Sequence, residues 1–315
     1  MKKRLIVDIS LILVLLFVAA AIEAAPKIRI GFTPPSFVSP YWTYVLKAAK
    51  AEANRQGIEL ITNAPKDHTD FEGQIRILED FVQKKVDVIM MGVVDKAAVV
   101  PGQKRVNAAK IPIVILNQIQ PQPAGVKIET YIGVDNFDGG AIMGEYVRNT
   151  LNEKGDIILI EGIPGEASNE RLEGFFSVKD KYRNMVIIDR QVADWDEGKA
   201  LTVMENFLEA HPKINLVFGL CDSMALGGIT AAKGRGRLKD IIFVGYDGTS
   251  EAYASIMKGE LRATISQTPL ELGRVGVISA VKIANKEKVP PIQQLPAFLV
   301  TKDNVKEFAA AYEGN

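Results

Sequence analysis

The sequence is poor in the residues that carry covalent and metal chemistry. Of its 315 residues one is Cys and two are His. A lone Cys221 forms no internal disulfide. His68 and His211 stand in no metal-ligand spacing, which excludes a Cys/His zinc cluster and leaves no metal expected. Cys221 has no neighbouring His or Lys to favour its thiolate. There is no phosphate-binding glycine loop, and Gly234-Arg235-Gly236 lacks the third glycine of a dinucleotide fingerprint. No Gly-x-Ser-x-Gly turn presents a hydrolase nucleophile. Excess charge is missing too: 38 Lys+Arg face 38 Asp+Glu, a balance that argues against a phosphate-backbone partner, so no nucleic acid is expected. Short repeats and low-complexity tracts are absent. The apolar share of 47% and charged share of 24% are those of a folded chain, long enough for one large or two ordinary domains.

One segment departs from that average. Residues 1–25 open with Lys2-Lys3-Arg4, turn apolar over the 14 residues from Ile9 to Ile22, and end in Ala24-Ala25. A basic start, an apolar middle and small residues at the end predict a secretory signal peptide, with cleavage after Ala21 or Ala24 equally arguable. The competing reading, a membrane anchor, needs about 20 apolar residues. Without 1–25 the chain stays near-neutral, and a periplasmic or otherwise extracytoplasmic location is expected.

From Lys27 onward, short β-branched runs alternate with amphipathic stretches of helical spacing. Strands are predicted at 28–33, 59–62, 88–91, 113–116, 130–134, 156–161, 186–191, 216–219, 241–246 and 263–267. In the first helical stretch Trp42, Val45, Leu46, Ala49 and Ala53 share a face, Ser39 is positioned to cap, and Pro40 suits the first turn. Runs such as Val88-Ile89-Met90-Met91 are apolar on both sides, as in a parallel sheet covered on both faces. About ten βα units exceed one ordinary open sheet. An eight-fold barrel and two doubly wound domains remain, and the count favours the second. The polar, proline-rich segment 118–127 is expected to cross between the halves.

Open α/β sheets bind ligands at strand C-termini, and seven strand ends here carry polar or aromatic groups. They are Ser39-Pro40-Tyr41-Trp42; Asn117-Gln118; a glycine-bounded turn at 162–165 leading to Asn169-Glu170-Arg171; Asp194-Trp195-Asp196; Cys221-Asp222-Ser223; Tyr246-Asp247-Gly248-Thr249; and Ser266-Gln267. Aromatic faces take the C–H side of a sugar ring, while amides, Arg and Asp satisfy its hydroxyls. Each has a plainer reading. Trp42 suits a helix core, Arg171 a pair with Glu170 or Glu173, Asp247-Gly248 a turn, and Asp222-Ser223 a cap for a helix starting at Met224.

The same runs, together with Gly133-Val134-Asp135-Asn136, Gly139-Gly140 and Asn169-Glu170-Arg171-Leu172-Glu173-Gly174-Phe175, resemble the ribose-binding-protein family of ABC importers, in the family's order from Lys27 to about Thr301. The resemblance implies a type I periplasmic binding fold of two doubly wound parallel-sheet domains joined by a three-strand hinge. It implies lobes at 27–134 plus 268–294 and at 135–267 plus 295–303, and a C-terminal helix at 304–315. It implies a non-enzymatic monomer without cofactor that passes a sugar or polyol to permease subunits, or, alternatively, signals to a chemoreceptor or sensor kinase. Carried over, the ligand-binding set is Ser39, Tyr41, Trp42, Asn117, Gln118, Arg171, Trp195, Cys221, Asp247 and Gln267. The departures are Asn117-Gln118 for an Asp-Arg pair, and Gly92 and Cys221 for two Asn. They predict a ligand other than ribose, with Gly92 and Cys221 leaving room for something larger or less polar.

Overall fold

A computed structural model describes residues 27–119 and 124–313, so the expected signal segment 1–25 lies outside the described residues. Among the described residues twelve strands form two six-stranded sheets. The first holds β1 (Arg29–Thr33), β2 (Glu59–Thr62), β3 (Val88–Met91), β4 (Ile113–Leu116), β5 (Thr130–Gly133) and β11 (Ile292–Gln294). Its order is β11-β5-β4-β3-β1-β2, all parallel. The second holds β6 (Gly155–Glu161), β7 (Met185–Val192), β8 (Leu216–Gly219), β9 (Ile242–Asp247), β10 (Ala263–Ser266) and β12 (Phe298–Thr301). Its order is β12-β10-β9-β8-β6-β7, parallel except for β12. The expected α/β class with two doubly wound sheets is what the chain adopts.

The apolar runs explain the layering. Successive side chains in a strand point to opposite faces. In β3, Val88 and Met90 join the cluster under α1 (Pro40–Arg55) and α9 (Pro269–Ala284). Ile89 and Met91 join the opposite cluster, with Leu78 and Phe81 of α2 (Phe71–Gln83) and Val106 of α3 (Val100–Ala108). A strand buried on both faces has no polar side to show, hence its unbroken apolar run. In the second sheet the flanking helices are α4 (Asn136–Leu151), α5 (Glu166–Lys179), α6 (Glu197–Ala210), α7 (Asp222–Gly234) and α8 (Ser250–Lys258), with α10 (Val305–Glu313) closing the chain.

The predicted strands form to within a residue or so at each end, but the expected crossover does not. β4 and β5, on either side of 118–127, are neighbours in the first sheet, paired Val114↔Thr130. The chain crosses between sheets elsewhere: after β5, after β10, and between β11 and β12. Two caps also differ. Ser39 sits at the N-cap of α1, but its hydroxyl makes no capping bond. α7 begins at Asp222, not Met224, and Cys221 holds its N-cap position.

Both sheets share the strand order 2-1-3-4-5, whose direction reverses between the first and third strands of the series, and ligands bind outside the strand C-termini at such a switch point. Here that places loops after β1 and β3 opposite loops after β6 and β8.

Candidate functional site

A cavity of about 860 Å³ opens between the loop ends of the two sheets. Nine of the ten residues nominated from the sequence line it: Ser39, Tyr41, Trp42, Asn117 and Gln118 on the first lobe, and Arg171, Trp195, Cys221 and Asp247 on the second. Gln267 does not line it. Its Nε2 donates to Asp247 Oδ1 at 2.7 Å, so it reaches the cavity through that carboxylate.

On the first lobe, the Tyr41 hydroxyl donates to Asn117 Oδ1 at 2.9 Å. Burial first, then the Asp247 carboxylate, holds the Tyr41 phenol well above its usual range, so it stays a donor. With its carbonyl taken, Asn117 has its NH2 group for the cavity. Asn117 has φ +64°, a left-handed conformation that Asn tolerates better than most residues. Trp42 meets Tyr41 edge-on at 5.4 Å. It is 5% exposed and belongs to the core cluster as well as the cavity wall. A side chain at Gly92 would collide with the Trp42 indole. The space expected to admit a larger ligand is therefore filled by Trp42.

On the second lobe, Arg171 is 3% exposed. Its Nε donates to Asn136 Oδ1 at 3.0 Å and Nη1 to the Leu220 carbonyl at 2.6 Å. Nη1 lies 3.6 Å from Asp247 Oδ1. The guanidinium stands 4.0 Å from the Tyr246 ring centre and 5.3 Å from that of Trp195, within cation–π range. Glu170 and Glu173 are not its partners in these bonds. A desolvated guanidinium held this way is oriented before any ligand arrives, with Nη2 left for the cavity.

Asp247 lies in a turn and on the cavity wall, with φ +132° followed by Gly248 at φ +78°. Burial raises its carboxyl, while Arg171 and then Gln267 pull it back. The turn is clamped from behind by Asp222, whose Oδ2 accepts from the Gly248 and Thr249 amides, each at 2.8 Å, and from Thr249 Oγ1 at 3.1 Å. Its Oδ1 accepts from Thr264 Oγ1 at 2.6 Å. Asp222 thus organises the site rather than capping a helix. Burial and the nearby Asp247 carboxylate push its pKa up. Trp195, at φ +62°, lies against Gly162, where a Cβ would overlap the indole. Cys221 is buried, with Sγ 3.2 Å from Ser223 Oγ. Burial pushes its thiol up to about 12, so it is a neutral wall group.

Sequence reasoning missed the outer wall: His68, Thr69 and Phe71 after β2, and residues 93–98 after β3. The rule about strand ends, applied to these two strands as well, finds them. Asn136, quoted only as part of a motif, turns out to position Arg171. Among the described residues no group of three or more His, Cys, Asp or Glu is placed to hold a metal ion.

The chain matches the periplasmic binding protein domain family over residues 30–288. It is 32% identical over 278 residues to the ribose import binding protein of Bacillus subtilis, covering 88% of each chain. It is similar in structure to an ABC transporter solute-binding protein from Bacillus halodurans with bound myo-inositol, at TM-score 0.84 and 30% identity, over 92% of this chain and 100% of that one. It is also similar to the fructose-binding periplasmic domain of a hybrid two-component system, at TM-score 0.83 and 25% identity, over 91% and 95%. With two doubly wound sheets, a cavity between their switch points and matches spanning most of its length, this chain belongs to the periplasmic binding protein family, on its ribose-binding-protein-like, type I side.

Proposed function

We propose that the chain is an exported binding protein that captures an uncharged sugar or sugar-like polyol and delivers it to an ABC importer. The observation that carries this reading is the pairing of unlike walls. A fixed Arg171–Asp247 pair on one lobe faces the Tyr41–Asn117 pair on the other across a single cavity. Arg171 Nη2 and the Asn117 amide donate, and Asp247 accepts, which suits vicinal hydroxyls. Trp42 and Trp195 supply ring faces. The relatives named for ribose import and solved with bound myo-inositol support a polyol ligand.

The lobes in this proposal are 27–134 plus 268–294 and 135–267 plus 295–303. A ligand touching both favours the closed arrangement by its differential contacts, and hinge closure at the three crossovers presents that form to permease subunits. This reading is one of capture without chemistry, in keeping with relatives that are named as binding proteins. A periplasmic location follows from the family, and segment 1–25 as an export signal belongs to the same reading. A sensor role, with the closed form read by a chemoreceptor or sensor kinase, is the second reading, favoured by the likeness to a two-component system's fructose-binding domain. Neighbouring permease and ATPase genes support transport; an adjacent sensor kinase gene supports sensing.

The test is a thermal-shift panel of pentoses, hexoses, linear polyols and cyclitols. A ligand at about 100 times Kd adds roughly 2.7 kcal/mol of stability. Arg171→Ala and Asp247→Ala should each remove most of the shift. A flat response to the whole panel overturns the sugar reading.

A further inference from the structure

The cavity extends beyond the residues that grip its floor. Arg171, Asp247, Tyr41 and Cys221 are all under 5% exposed, whereas Phe71, on the same wall system, is 41% exposed. This outer part is as well built as the floor. Gln74, fully buried, donates to the Gly92 carbonyl at 2.7 Å and the Pro34 carbonyl at 3.3 Å, and accepts from the Val94 amide at 3.0 Å. It thereby staples the loop after β1 to the loop after β3. His68 stands on this wall, and its ring is held: Nδ1 lies 2.8 Å from Ser36 Oγ.

The surroundings of Ser36 fix the direction of that bond. Ser36 has no exposed surface, and its Oγ already accepts the Val38 amide at 3.2 Å. A buried hydroxyl must place its own hydrogen on an acceptor, and among the described residues the one within reach is His68 Nδ1. A neutral imidazole whose Nδ1 accepts carries its hydrogen on Nε2. Burial lowers the His68 pKa to about 4 against the pull of Asp67, so the ring is neutral at physiological pH. No protein group meets Nε2 among the described residues, and His68 lines the cavity.

We infer that His68 is a ligand-contacting, specificity-determining residue, fixed by Ser36 as the Nε2–H form and donating from the first lobe to an oxygen acceptor of the bound polyol. The acceptor is a hydroxyl, ether or carbonyl oxygen. An ammonium or other donor-only group at that point meets an N–H head-on and is rejected, which sets amino sugars apart from their hydroxyl counterparts. The ligand half of this inference rests on the sugar-binding reading; the tautomer half does not.

Two measurements test it. In imidazole 15N spectra, His211→Gln identifies the His68 signals, since the chain has only two histidines. His68 should be neutral and Nε2-protonated at pH 7, and Ser36→Ala should admit the other tautomer. An Nδ1-protonated or cationic His68 at pH 7 overturns the inference. Calorimetry with D-ribose, D-allose, D-fructose and myo-inositol follows. On any sugar that binds, His68→Phe should weaken affinity roughly tenfold, the loss of one well-placed donor. His68→Gln, whose amide N–H falls near the Nε2 position, should restore most of it. Unchanged affinity in His68→Phe overturns the contact. If neither these four nor any other member of the thermal-shift panel binds the wild-type protein while the tautomer is as stated, it is the sugar reading that has failed, and the donor stands for a different oxygen-bearing ligand.

Discussion

Gln267 holds Asp247: its side-chain amide donates to the Asp247 carboxylate at 2.7 Å from the first residue after β10, where the chain leaves the second sheet for the first. The cavity's buried acid and one crossover are therefore mechanically joined. Gln267→Leu removes one of the three groups that pull the Asp247 carboxyl down and leaves a buried acceptor short of a donor, at about 1–3 kcal/mol. Calorimetry should show a loss of sugar affinity of about tenfold or more with the fold retained by circular dichroism. Wild-type affinity would mean that the hinge and site are not coupled through this bond.

Trp42 fills the space beside Gly92, so restoring an amide there is expected to harm the protein. Gly92→Asn forces a side chain into the indole and should cost about 1–3 kcal/mol, as overpacking does. Trp42→Phe in the same chain should recover part of that loss. Strictly additive effects of the two changes in chemical denaturation would show that the contact is not the cause.

His68 makes stability pH-dependent in a definite direction. Its folded pKa lies near 4, below the ordinary 6.5, so between those values the unfolded chain binds more protons and acid favours unfolding. The stability is fully present above about 6.5 and is lost as pH falls toward 4. Relative to His68→Phe, the wild type should lose on the order of 2–3 kcal/mol over that window. Parallel pH profiles for the two proteins would contradict a neutral, half-buried ring.

Cys221 should resist thiol reagents. Its side chain is buried and its thiol is pushed up to about 12. At pH 8 the folded protein should give almost no reaction with a chromogenic disulfide, and one thiol per chain after denaturation. Prompt labelling of the folded protein would place the thiol in contact with solvent.

Tyr44 of α1 donates to Glu251 of α8 at 2.9 Å, joining helices that flank different sheets. Its ring also meets Tyr312 edge-on at 4.7 Å. Tyr44→Phe keeps the ring contact and removes the bond, worth about 0.5–1.5 kcal/mol at most in so exposed a place. Small-angle scattering of the unliganded protein should show a larger radius of gyration, with sugar affinity reduced a few-fold. An unchanged radius would leave this bond no part in setting the lobes' separation.

Ten strands were legible because their cause is local: β-branched and apolar runs, doubly buried in inner strands such as Val88-Ile89-Met90-Met91 and still present in the edge strands β2 and β7. β11 and β12 were not, because Ile292–Gln294 and Phe298–Thr301 are short outer strands whose partners, β5 and β10, lie far away in sequence. For the same reason the proline-rich 118–127 looked like a crossover. Its composition marks a loop, but which sheet a loop returns to is set by strand pairing. At the site, Tyr41, Arg171 and Asp247 could be nominated from residue type at strand ends, whereas the roles of Asn136, Asp222 and Gln267 could not. Each acts on a partner at least 20 residues away, and no local pattern records such a bond.

The scarcity of cysteine and histidine and the balance of charge set the expectations about what the protein is not, and periodicity determined its layers. These follow from composition and near-neighbour spacing, which folding does not alter. The tertiary structure alone decided that Trp42 occupies the room beside Gly92 and that Asp222 serves a turn rather than a helix. It also decided that one of the two histidines stands on the ligand wall with its donor atom already chosen. Those facts depend on which buried polar groups meet, and a buried group takes its role from the partner that replaces water.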